Sequence, residues 1–193
     1  MKAIANMGDL PAGSSLLADD ILEFHAARIL LLIRCCGKRS RSDRRYSIQG
    51  LTKLAKLDFF VRYPEFFNEV ARCFDVSSEK SYETVESRMV RYHYGPWDQR
   101  YYHVLAYLEG RKLLEVHQVG KAFQFILTNR GTEVTKSICD SASFEKLCNH
   151  MKQVKKVLGE KSGSYLKNLI YKTFEEEVAR QELGEIIDRC PKQ

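Results

Sequence analysis

Apolar residues recur along most of this chain with a helical period, and in one stretch they alternate instead. Between Trp97 and Leu108 they fall at three- and four-residue steps (Trp97, Tyr101, Val104, Leu105, Leu108), one stripe of a helix. Gly95-Pro96 marks its start, since a proline at the first helical position gives up no intrahelical hydrogen bond. Gly110 suits a left-handed C-cap, with Arg111 and Lys112 at the negative end of the helix dipole. Leu114 and Val116 then alternate with Glu115 and His117, and Phe123 and Phe125 with Gln124 and Ile126. Gly120 lies between the two runs, so they predict a hairpin. Thr128 is a natural N-cap for a helix through Val134 and Ile138.

The flanking pattern is helical. Asp19 or Asp20 caps a first helix, with Ile21, Leu22, Phe24, Ile29, Leu32 and Ile33 inward and Arg28 and Arg34 on the other side. Leu51, Leu54, Leu57 and Phe60 or Val61 line a second helix ending near Tyr63, and Pro64 opens a turn over Phe66, Phe67 and Val70. A polar loop from Asp75 to Thr84 and a charged segment to Tyr92 follow. Phe144, Leu147, Met151, Val154 and Leu158 share a face of a helix started by Ser141 or Ser143. Gly159 to Gly163 breaks it, and Tyr165, Leu166, Leu169, Ile170 and Phe174 make another. The run Val104-Leu105, Leu108, Leu113-Leu114, Phe125, Leu127-Thr128, Gly131 matches a pattern found in many winged-helix domains. The expected fold is mainly α: a winged-helix core (helices plus a β-hairpin wing) with a helical C-terminal extension. The expected divisions are an irregular arm at 1–18, a winged-helix-like domain at 19–140 with a basic loop at 37–47, and an extension at 141–193 packing on it.

Composition supports a real core, at 44% hydrophobic residues. The longest apolar run, Ile29 to Ile33, is far short of the roughly 20 residues a bilayer-spanning helix needs, and no signal-peptide core is present at the N-terminus, so a cytoplasmic protein without membrane contact is expected. Of the six cysteines none lies in a Cys-x-x-Cys. Cys139, Cys148 and His150 are the one grouping that looks like a metal site. Their spacing matches no common zinc motif, and small hydrophobes on a helix is the competing reading. Neither metal nor cofactor is expected.

The net charge of +6 is unevenly placed. Arg34, Lys38, Arg39, Arg41, Arg44 and Arg45 stand against Asp43 alone, with Lys53 and Lys56 just beyond. Lys152, Lys155, Lys156, Lys161, Lys167 and Lys172 stand against Glu160 alone, and the tail after Phe174 is acidic. Such segregation points to oppositely charged partners. The first cluster reads either as a solvated connection or as a contact for phosphate or an acidic protein surface; Lys152, Lys155, Lys156, Lys161 and Lys167 form a second basic face. No phosphate-cradling, dinucleotide, zinc-protease or serine-hydrolase motif occurs. The five histidines are scattered, with His25 a satisfied core residue, so no catalytic activity is expected.

Gly50-Leu-Thr-Lys-Leu-Ala-Lys-Leu-Asp-Phe-Phe-Val-Arg-Tyr-Pro64, Arg91-Tyr-His-Tyr-Gly-Pro-Trp-Asp-Gln-Arg-Tyr-Tyr102 and Gly163-Ser-Tyr-Leu-Lys167 with Ile170-Tyr171 carry a resemblance over roughly residues 45 to 175. They resemble the middle component of ABC three-component bacterial defence systems of the Lamassu type. That resemblance implies a non-catalytic accessory subunit bridging the heads of a dimeric SMC-like ABC ATPase and an effector nuclease, and contacting double-stranded DNA through the complex. The alternative is a stand-alone winged-helix transcriptional regulator. The helix from Pro96 to Gly110 would then enter the major groove, with Gln99, Arg100 and His103 reaching base edges.

Overall fold

The computed structural model describes residues 21–74, 89–92 and 95–175, with positions 178, 182, 184, 185 and 187 beyond them. The expected arm at 1–18, the caps at Asp19 or Asp20 and the segment 75–88 lie outside the described residues, as does most of the acidic tail.

Helix α1 (Leu22–Cys36) is buried through most of its length. It runs into a short hairpin of β1 (Lys38–Arg39) and β2 (Tyr46–Gln49), where the basic connection was expected. Helix α2 (Leu51–Arg62) follows, and every residue from Leu54 to Arg62 is buried, including Lys56, Asp58 and Arg62. A helix covered on all sides is the centre of its fold rather than a surface element. Tyr63 ends it, and Pro64 sits at the start of α3 (Pro64–Arg72), where its missing N–H costs nothing. Phe59, Tyr63, Phe66 and Phe174 pack ring against ring beneath that turn, tilted at Phe59 and edge-on between Tyr63 and Phe66 and between Phe66 and Phe174.

One expected element is corrected. Gly95 to Trp97 is a strand, β4, paired antiparallel with β3 (Val90–Tyr92), and helix α4 (Tyr101–Gly110) begins four residues after Trp97. The periodicity of Trp97 with Tyr101 is real, since the two rings meet edge-on at 5.2 Å. Its cause is a turn leading into the helix. Gly95 has φ +89°, a left-handed conformation that glycine tolerates and that excludes it from a helix start. Gly110 likewise is the last helical residue, and the left-handed position is Lys112, with φ +58°.

The expected hairpin is formed by β5 (Leu114–Val119) and β6 (Ala122–Leu127), which pair antiparallel from Val119–Ala122 to Leu114–Leu127 with Gly120 in the turn. Its second strand pairs in turn with β2, giving the four-stranded antiparallel order β1-β2-β6-β5. Thr128 caps α5 (Asn129–Cys139) by accepting from the Gly131 N–H at 2.9 Å. A 3-10 turn (Ala142–Phe144), α6 (Glu145–Leu158) and α7 (Gly163–Thr173) complete the described chain. Helix α6 packs on α1 and α2, and α7 on α2, so their apolar faces share one core with the first helices. The fold is mainly α with a small antiparallel sheet.

Gly131 explains one residue of the hairpin-to-helix pattern. A Cβ there would lie 2.0 Å from the Leu113 carbonyl oxygen, where no atom can shift cheaply. Gly131→Ala is expected to lower the stability by about 1–3 kcal/mol, as for other overpacked sites. Urea unfolding of the purified chain measures it.

Candidate nucleic-acid interface

The two basic sequence clusters do not form two faces. The fold brings part of each to the same place and takes the rest elsewhere. A groove of about 450 Å³ runs between the end of α1, the sheet and the loop before α7, lined by Lys38, Lys53, Lys161, the carboxylate of Glu160 and the backbone of Gly50 and Gly163. It continues past Gln49, Gly50, Lys53 and Gly163 into a second recess of about 310 Å³ bordered by Thr52, Ser164 and Lys167. Four lysines from four separate elements therefore share one concave surface.

Two helix N-termini open on the same groove. Helix α2 (N-cap Gly50) has no side-chain cap, and Gly50, Thr52 and Lys53 of its first turn line the recess. At α7 the Ser162 hydroxyl accepts from the Tyr165 N–H at 3.1 Å. Aligned helix dipoles add positive potential at each start. Lysines and helix N-termini together are the donor set that holds phosphate oxygens. Lys53 lies deepest: its ammonium donates to the Gly159 carbonyl at 2.7 Å. Burial, followed by the charge of Lys155, pushes its pKa below the ordinary value. An anion in the groove relieves that repulsion. Lys161 stands over the rings of Tyr165 at 5.0 Å and Phe74 at 5.4 Å, which orients its ammonium without neutralising it.

The remaining candidates are distributed otherwise. Arg34 and Arg39 lie on the Tyr46 ring, at 4.3 and 5.5 Å from its centre. Arg45 pairs with both Asp43 and Glu115 at 2.7 Å, so its charge is spent within the protein. Arg41 and Arg44 are exposed at the tip of the β1–β2 hairpin. Lys152 donates to Asn149 and Lys156 is exposed on α6, both outside the groove lining, while Lys155 pairs at 2.9 Å with Glu160 at the groove's edge.

Lys56 is a correction. It is fully buried, donating to the Pro96 carbonyl at 2.8 Å, and contributes nothing to a surface. Desolvation, with the Lys167 charge adding to it, pushes its pKa down to about 7. Protons are then held less tightly by the folded chain than by the unfolded one, so stability rises with pH between about 7 and 10 on account of this group. Below pH 7 the full cost of a buried ammonium is present. Lys56→Met removes that cost. Its stability relative to the parent is expected to be greater at pH 6.5 than at pH 9 by about 2 kcal/mol, read from urea melts at the two pH values.

Of the recognition-helix candidates, Gln99 and His103 are exposed, but Arg100 is engaged. Its guanidinium donates to both Asp98 oxygens at 2.9 and 2.7 Å and meets His25 at 2.9 Å. Behind it runs a buried polar network that the sequence did not suggest. Arg28, expected on the outer side of α1, is buried and donates to Asp58 at 2.9 and 3.4 Å, while the Tyr101 hydroxyl donates to Asp58 at 2.7 Å. Arg62 donates to Asp98 at 2.7 Å. Burial alone would raise the Asp98 carboxyl, but the Arg100 hydrogen bonds and the Arg62 charge outweigh it and hold the group well below the usual carboxylate range. His25 stands between the guanidinium groups of Arg28 and Arg100, and its one acceptor nitrogen takes a hydrogen bond from one of them. The network ties α1, α2 and α4 together. A clue was available: Arg28 follows His25 by three residues, and Asp58 follows Leu54 by four, on the buried stripes of their helices.

Among the described residues no helix is long and apolar enough to cross a membrane. The sequence matches no protein-family model and no curated protein.

Proposed function

We propose that this chain is a non-catalytic accessory subunit that grips the phosphate backbone of double-stranded DNA for an SMC-like ATPase complex. The observation that carries the DNA contact is the groove where Lys38, Lys53, Lys161 and Lys167 converge with the uncapped start of α2. These donors suit phosphate oxygens, and phosphate contacts position the subunit without reading sequence. The sequence resemblance to the middle component of Lamassu-type systems supplies the ATPase and the effector nuclease as partners. Val119 and Phe123, exposed at the tip of the β5–β6 hairpin, give an apolar patch suited to a protein neighbour.

A stand-alone winged-helix regulator is the second reading. In its favour, β2 ahead of α2 pairs with the second strand of the hairpin after α4, the connectivity a winged helix requires. Against it stands Arg100, which is committed to Asp98 and His25. Affinity capture of the tagged chain from its native host, followed by mass measurement of the intact complex, separates the two. The proposed function predicts co-purification of a coiled-coil ATPase and a nuclease. Recovery of the chain alone, as monomer or dimer, overturns the subunit reading.

A further inference from the structure

The fold assembles a thiol cluster that the linear sequence does not display. Cys35 is in the last turn of α1, Cys139 is the last residue of α5, and Cys148 is in the first turn of α6. Their three sulfur atoms all lie within 4.8 Å of one another, with Cys139 and Cys148 at 3.1 Å. Cys35 and Cys139 are half-buried and Cys148 is buried, so the cluster is enclosed but reachable. His150, the expected companion of Cys139 and Cys148, is not part of it: its Nε2 meets the Phe60 carbonyl at 3.0 Å on another side of α6. Cys35, a hundred residues away in the chain, takes its place.

We propose that Cys35, Cys139 and Cys148 form a three-thiolate site for a soft divalent cation of the zinc class. Sulfur ligands at about 2.3 Å from zinc stand roughly 3.8 Å apart in tetrahedral geometry. Cys139 and Cys148 stand at 3.1 Å and all three sulfurs within 4.8 Å, so adjustments of up to about an ångström close the site. A Cys139–Cys148 disulfide would need its sulfurs at about 2.05 Å and would leave Cys35 facing a bond it does not join. Charge agrees as well. Three thiolates and one divalent ion carry one net negative charge, so the bound ion offsets most of the charge that the enclosed thiolates would otherwise bring together. Soft thiolates select zinc-like ions over magnesium or calcium. Three protein ligands leave a fourth position for a non-protein donor. Because the ligands come from α1, α5 and α6, the ion would pin the C-terminal helices to the first helix of the core.

The test uses the reduced, chelator-stripped full-length chain titrated with Co²⁺, then with Zn²⁺. The expected result is one intense thiolate-to-cobalt charge-transfer band at one ion per chain, lost on adding zinc, and a zinc-dependent rise in melting temperature. Cys35→Ser and, separately, Cys139→Ser are each expected to weaken binding by more than the roughly 10–100-fold that changes behind a metal ligand cost. Cys73→Ser, at an exposed cysteine elsewhere, leaves it intact. Circular dichroism confirms that each variant is folded before titration. Absence of the band in the wild-type chain overturns the proposal. So does a band that survives in folded Cys35→Ser, or isolation of the native protein with a Cys139–Cys148 disulfide and no metal uptake.

Discussion

Replacing Asp58 by alanine should destabilise the chain by about 3–5 kcal/mol, the largest single-residue effect expected anywhere in the fold. Asp58 is fully buried and accepts from Arg28 and from Tyr101. Removing it takes the carboxylate from a buried guanidinium and the acceptor from a buried phenol at once. With total stabilities of roughly 5–15 kcal/mol for domains of this kind, the variant would sit near the edge of folding. The double variant Asp58→Ala, Arg28→Met should recover much of the loss, because an apolar side chain of similar length removes the stranded charge. Urea melts of the three proteins measure both numbers. A loss under 1 kcal/mol for Asp58→Ala would mean that water or rearrangement compensates Arg28, and the network would not be what joins α1, α2 and α4.

Most of the helices, the hairpin and the Thr128 cap were legible in the chain because each rests on local physics. The expected caps at Gly110 and at Ser141 or Ser143 were not: Gly110 is still helical, and α6 starts at Glu145 after a 3-10 turn with no side-chain cap. Thr128 caps its helix through a bond to a residue three positions on, and Gly120 turns a hairpin whose two strands are adjacent in sequence. What was illegible depends on distant residues. The start of α4 was misplaced because Trp97 keeps helical spacing with Tyr101 while belonging to a strand paired with Val90. Charge pattern located the basic residues but not their neighbours. Lys56 differs from Lys53 by three positions, yet one is in the core and the other lines the groove. The groove and the thiol cluster each draw residues more than a hundred positions apart, and no periodicity reports such a meeting. The Arg28–Asp58 pair is an intermediate case: two charges on buried stripes imply partners without naming them.

The second large effect belongs to the groove. The triple variant Lys38→Gln, Lys161→Gln, Lys167→Gln removes three of its cations and spares Lys53, whose bond to Gly159 helps hold the loop before α7. Lys38 is exposed and the other two are half-buried at the groove wall, so folding should survive the change. If each lysine neutralises one phosphate, the slope of log affinity against log salt falls in magnitude by about 3. At low salt that corresponds to a loss of binding far beyond what one surface lysine gives. Neutralising Arg45 instead should alter the slope little, since Asp43 and Glu115 already hold it.

Fluorescence anisotropy of the full-length chain on two unrelated double-stranded DNA sequences, across a salt series, with the triple variant alongside, tests the DNA-binding account most directly. Equal affinity for both sequences, a steep salt slope and its reduction by about 3 in the variant are the expected results. A preference for one sequence, or a slope that the three substitutions leave unchanged, would contradict the assignment of the groove as a backbone clamp.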